Sequence, residues 1–235
     1  MKRSCIKSIV FLIILCVFNL NKAFGWYDET HLAIAKAAGY AKWYNAVGAD
    51  MAKTKAGSIE FYNHYFNNDS DIEVTPEMVI SQISKYNKPA DKEGHLYGAI
   101  IASLQEYKKT VEAGKYPEYH IAFCAHYVGD LSQPLHNMPY DNFNRTHHDI
   151  NDGIVENEIF KNIARIEKNM YTINLSPEHF EEDVSGEIAR IANLSRKLGH
   201  KLKTENRNMT KEEAYIQLGH SASLLKAILK NLGKS

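Results

Sequence analysis

Apolar residues return every three to four positions along most of this chain, the spacing at which one face of a helix meets a core. The pattern is clear in "HLAIAKAAGYAKWYNAVG" (31–48), "HLYGAIIASLQEYKKTVEAG" (95–114) and "YIQLGHSASLLKAILKNL" (215–232), and no long stretch alternates as a half-buried strand would. Helix starts are marked too. Thr75-Pro76-Glu77 and Ser176-Pro177-Glu178 each offer a capping hydroxyl, a proline in the first turn and an acid to meet the helix dipole, and Thr210 precedes "KEEAY". Gly114 and the asparagine-rich 67–71 punctuate helices. The expected fold is all-α, one compact multi-helix domain without repeat or linker.

The first 25 residues break this pattern. Lys2, Arg3 and Lys7 lead into an apolar run from Ile9 to Phe18, followed by Ala23-Phe24-Gly25. This order predicts a signal peptide cleaved before Trp26 and an exported chain, periplasmic or extracellular, with its domain over 26–235. An uncleaved anchor is the rival, but the run is short for a membrane span. A lipid anchor on Cys16 is disfavoured by bulky Leu15. Among 28 basic and 28 acidic side chains, the leader holds four basic residues (Lys2, Arg3, Lys7, Lys22) and no acid, so the processed domain carries −4. No basic stripe of the kind that meets duplex nucleic acid is visible. Cys124 would be left as its only cysteine, so no internal disulfide can form and bound metal is one alternative staple. Nothing suggests a stable membrane span after processing or an obligate protein partner.

The chain contains eleven histidines. His126 and Asp130 stand four apart and so share a helix face. His136 follows beyond Pro134, which ends the helix and lets the chain turn back, and His148 with Asp152 makes a second such pair. Imidazole and carboxylate together suit zinc, although manganese or iron also fits aspartate-rich sites. His147 would face Asn151, a poorer ligand, so His148 is preferred. His95, His120, His179, His200 and His220 show no acid at a matching spacing and are expected to be ordinary core or surface groups. Processing before Trp26 would expose an α-amine that can chelate a metal together with its own carbonyl, five positions ahead of His31.

"HYVGDLSQPLH" (126–136), with Trp26 and His31 before it and His148 and Asp152 after it, resembles the central motif of the zinc-dependent phospholipase C and S1/P1 nuclease family. The likeness runs from Trp26 to about Asp152; beyond that only the all-α character is shared. It implies three zinc ions. One would be held by Asp50, His64, His126 and Asp130, and its neighbour by the Trp26 amine and carbonyl, His31 and a bridging Asp130. The third would be held by His136, His148 and Asp152. Asp50 would also orient the attacking water; Asp69 or Asp71 could stand in for it, and a helix cap is its ordinary alternative. The implied reaction is hydrolysis of a phosphodiester by metal-bound hydroxide, as a two-metal clamp allows. No serine or cysteine nucleophile is required, and Cys124 reads as a small core residue.

For the substrate, the likeness points two ways. Glu29 and Phe61 match a choline-binding arrangement of the phospholipase branch, where a cation rests on aromatic faces, although Met51 stands where another aromatic is expected. Tyr65, directly after His64, matches the base-stacking residue of the nuclease branch, with Asn67 in place of an acid. The ordinary alternative for Phe61 is a core residue. Phospholipid is the first expectation, single-stranded nucleic acid or a nucleotide the second, and a non-catalytic zinc protein a distant third.

Overall fold

The computed structural model describes residues 25–69 and 71–234; the expected signal peptide, apart from Gly25, lies outside the described residues. Among the described residues there are ten α-helices and no strand. In chain order they are α1 (Asp28–Ala37), α2 (Gly48–Ala56), α3 (Ser58–Phe61), α4 (Pro76–Ser81), α5 (Leu96–Glu112), α6 (Glu118–Leu131), α7 (Asn142–Asp152), α8 (Ile163–Lys168), α9 (Phe180–Glu205) and α10 (Lys211–Asn231). None of them is long and apolar enough to cross a membrane.

α6 is the axis of the molecule. All but two of its residues are buried, because α5, α10 and α1 cover it on different sides, with α2 and α9 adding to the cover. A helix hydrophobic nearly all round can hide polar side chains only where they meet one another. This is where His126 and Asp130 lie, both fully buried. Cys124 is buried among core residues, and burial pushes its thiol up to about 12, as befits packing rather than reactivity.

Two of the three capped starts form as written. Thr75 accepts from the Met78 N–H with Pro76 in the first turn. Thr210 and Glu213 form a capping box whose Glu213 also holds Arg207. The third is corrected: Ser176-Pro177-Glu178 lies ahead of α9, which starts at Phe180, and the Ser176 N–H is instead held by Asp183 from inside the helix. The pattern over 31–48 is likewise broken. α1 stops at Ala37 because the chain turns through Gly39 at φ +83°, and only a short 3-10 turn, Trp43–Asn45, precedes α2.

Two of the histidines expected to lack acidic partners have them. His95 is bonded through Nδ1 to Asp91 at 3.1 Å, and His179 lies 3.4 Å from Glu182. His220, on α10, follows expectation: its Nδ1 is buried without a hydrogen-bond partner. Burial, helped by the nearby Arg190 charge, lowers its pKa to about 4. The unfolded chain therefore binds more protons here, and the stability this neutral ring contributes is present above about pH 6.5 and lost as pH falls toward 4. Unfolding by urea at pH 7.5 and pH 5 is expected to show a smaller acid penalty for His220→Gln than for the wild type, by about 1–2 kcal/mol.

Candidate metal centre

Five segments bring polar side chains to the buried face of α6. His126 and Asp130 come from α6, His31 from α1, Asp50 from α2, and His64 from the turn after α3. The 3-10 turn Pro134–Asn137 folds back after Pro134 and presents His136, while α7 presents His148 and Asp152. α1 can approach because residue 129 is glycine: a Cβ there would lie 2.5 Å from His31 Nδ1. Gly129→Ala is therefore expected to push the His31 ring aside, lowering metal affinity at least tenfold while the helical circular dichroism is kept. Zinc titration of the chelated variant checks it.

These side chains form three sets in which the potential ligand atoms lie within 4.8 Å of one another: His31, His126 and Asp130; Asp50, His64 and His126; and His136, His148 and Asp152. His126 belongs to the first two, and Asp130 of the first set also reaches the second. Its Oδ1 is 3.4 Å from His31 Nε2, whereas its Oδ2 is 2.9 Å from His64 Nδ1 and 3.4 Å from His126 Nε2. His126 Nε2 is also 3.4 Å from Asp50 Oδ1. Asp50 lies within α2, whose cap is Val47, so capping is not its role. Asp69 and Asp71 are exposed.

The outer nitrogens settle which ring atoms face inward. His126 Nδ1–H donates to the Ala46 carbonyl at 2.8 Å, and His136 Nδ1–H to the His64 carbonyl at 2.6 Å. His148 Nδ1–H donates to Asn144 Oδ1 at 2.6 Å, since the Asn144 amide N–H groups are directed to the carbonyls of Leu135 and Pro139. His136 and His148 consequently turn an Nε2 lone pair inward, and His126 turns its Nε2 toward the Asp50 and Asp130 carboxylates. His136 and His148 face each other through Nε2 at 3.1 Å, a repulsive approach unless a cation lies between them. A proton is a poor candidate, because burial lowers the His136 pKa to about 4 and that of His148 well below its ordinary value.

In the other sets the charges are differently arranged. Burial opposes a charged His126, but the Asp50 and Asp130 carboxylates outweigh it and raise its pKa to about 9. Burial likewise opposes ionised Asp130, yet His126 and His136 hold its carboxyl well below the usual range. Asp152 is pushed well above that range, chiefly by burial, although Gln133 donates to it and Gly25 N–H lies 3.4 Å away. Buried atoms without hydrogen-bond partners concentrate here: both His31 nitrogens, His64 Nε2, Asp50 Oδ2, His126 Nε2 and Asp130 Oδ1, while Asp50 Oδ1 is ion-paired with Lys53 Nζ. Such atoms are costly unless something binds them. Neutral imidazoles and carboxylates at these separations fit divalent metal ions, so the fit is good on chemistry as well as on spacing.

The backbone at Gly25 threads between the sets. A Cβ on Gly25 would meet Asp130 Oδ1 at 2.6 Å and His136 Cε1 at 3.4 Å. Trp26 is fully buried beside it. The peptide bond expected to be cut thus adjoins the cluster that the freed amine would join.

His147 takes no part: it bonds Asn208 and stacks on Phe143. Phe61 and Tyr65 line one cleft of about 110 Å³ with Asn67, Leu135, Tyr140, His136 and His148. It is smaller than sites that engulf a whole drug-sized ligand, so it suits one group of a larger molecule. Glu29 is exposed on α1 and does not line this cleft, and Met51 is 68% exposed. One buried acid beside these sets escaped the sequence reading. Glu60 lies four residues before His64, a spacing that could have revealed it, and its Oε1 is 3.3 Å from His64 Nε2.

Comparisons of the whole chain with protein-family models, curated proteins and solved structures return no match.

Proposed function

We propose that this chain is an exported metal-dependent phosphodiesterase with three ions, zinc first among the candidates, acting on phospholipid head groups. The observation that carries the reading is that two sets share His126 while the two Asp130 oxygens approach a histidine of each, with a third set beside them opening into an aromatic cleft. The ions, when bound, would supply an activated water and neutralise charge on the phosphoryl oxygens. The ligands proposed are His31, Asp130 and the Trp26 amine and carbonyl; Asp50, His64, His126 and Asp130; and His136, His148 and Asp152.

The protein's own part is to hold these groups and to orient substrate. The carbonyls of Ala46 and His64 and the side chain of Asn144 fix three imidazole orientations before any ion arrives. Asp50 would help to orient the attacking water. The cleft favours the phospholipid reading because the Phe61 and Tyr65 rings meet at 74°, as adjacent walls of a box around a compact cation rather than parallel jaws. A nucleotide is the second reading, favoured by Asn67, whose amide in the same cleft suits the edge of a base stacked on Tyr65.

Metal content and turnover of a choline phospholipid and of single-stranded DNA, before and after chelation, test the proposal. About three ions with chelator-sensitive cleavage of the phospholipid support it; DNA cleavage alone selects the second reading. Metal without turnover of either leaves a non-catalytic metal protein. Phe61→Ala is expected to raise KM about tenfold with kcat changed less than threefold, the signature of lost binding distant from the reacting atoms. Steady-state kinetics on a short-chain phosphatidylcholine checks this.

A further inference from the structure

α1 begins without a capping side chain of its own. Its cap position is Tyr27, which makes no side-chain bond to the first-turn N–H groups, so these must be met from elsewhere. Glu156, which opens the 3-10 turn Glu156–Asn162 after α7, meets them. Its Oε1 accepts from the Glu29 N–H at 2.8 Å, and its Oε2 from the Thr30 N–H at 3.0 Å and the Thr30 hydroxyl at 2.7 Å. A carboxylate is the favourable charge at this end of a helix.

The preceding residue is held by the same stretch of chain. Tyr27 donates its hydroxyl to Asp149 Oδ1 at 2.7 Å, and its N–H is 3.4 Å from the Asp152 carbonyl. Its ring lies against Gly153, where a Cβ would come within 2.8 Å of Tyr27 Cε2. Trp26, fully buried, links this anchored stretch to Gly25, which lies against Asp130 and His136.

We infer that Glu156 and Asp149 are positioning residues that fix the start of α1, so that the Trp26 amine, once freed, stands at the ion shared with His31 and Asp130. This rests on the reading of that amine as a metal ligand. The physical reason is that a chain terminus is the part of a fold most free to move, whereas a ligand contributes fully only if its freedom is lost before the ion binds. His31 is held by its own helix; the amine, one residue ahead of Tyr27, has no such support. The anchors come from the end of α7 that carries His148 and Asp152, so the first and third sets share one frame.

The test takes two metal-free chains, one beginning at Trp26 and one keeping Gly25 ahead of it, each as wild type, Glu156→Ala and Tyr27→Phe. Zinc is titrated against a chromophoric chelator, and backbone amide hydrogen exchange is followed by NMR. In the chain beginning at Trp26, Glu156→Ala is expected to weaken one ion about 10–100-fold and leave the other two within about twofold. Tyr27→Phe acts on the same ion by about three- to fivefold, and carries the test if Glu156→Ala does not fold. In the chain keeping Gly25 that ion is already weak, and each substitution costs it less than about threefold. Exchange at the Glu29 and Thr30 amides rises about tenfold in Glu156→Ala before any ion is added. Unchanged affinity, weakening of all three ions, or equal weakening in both chains would overturn the inference, because the anchors would then not act through the amine. Three ions held as tightly with Gly25 as without it would instead remove the amine as a ligand, and absence of zinc uptake by both wild-type chains would remove the metal reading beneath it.

Discussion

Asp130→Asn is expected to lower phosphodiester turnover by at least 10³-fold and to remove two of the three ions. The two oxygens of this carboxylate address different sets, Oδ1 toward His31 and Oδ2 toward His64 and His126. Asparagine keeps the shape but withdraws the negative charge from both sets at once and turns an N–H pair toward one of them, where a cation cannot be bound. A thousandfold loss corresponds to about 4 kcal/mol of transition-state stabilisation. The His136, His148 and Asp152 set should still take up its ion, so metal analysis should fall from about three to about one rather than to zero. Turnover within tenfold of wild type with three ions retained would show that Asp130 does not bridge.

Chelation is expected to lower the thermal midpoint by about 20 °C or more, with the loss reversed on adding zinc. The centre joins α1, α2, α6 and α7, and inward atoms of His31, His126 and Asp130 have no hydrogen-bond partner. Without cations these lone pairs and carboxylates oppose one another; with them, each becomes a cross-link between segments far apart in the chain. An ion present at 1,000 times its dissociation constant adds about 4 kcal/mol, and each kcal/mol moves the midpoint of a chain this size by about 2–4 °C. Scanning calorimetry with and without chelator measures the shift directly. A midpoint that does not move would mean that the sets fold without binding ions, which would sink the metal reading together with the mechanism.

The sequence carried the helices where local signals agreed. Thr75-Pro76 and the Thr210 box begin α4 and α10 because a capping side chain acts within its own turn. Ser176-Pro177 did not begin α9: Asp183, seven residues on in the first turn, holds the Ser176 N–H, and the helix starts at Phe180. In the candidate site, the pairs His126–Asp130 and His148–Asp152 were legible from i, i+4 spacing, and the structure puts both pairs into buried sets. His95 and Asp91 share that spacing yet stand outside all three sets, so spacing alone cannot tell a partner for hydrogen bonding from a metal ligand.

What the sequence determined by itself is the all-α character and the helical faces on which the paired histidines and aspartates lie, since period and capping operate over a few residues. What only the tertiary structure decided is which distant residues converge. Asp50, rather than Asp69 or Asp71, reaches His126 because α2 packs on α6; His31 reaches Asp130 because residue 129 has no side chain. Which nitrogen His126 and His136 turn inward was also decided there, by the carbonyls of Ala46 and His64, contacts made across folds of the chain. Those depend on packing between helices, and no local pattern contains them.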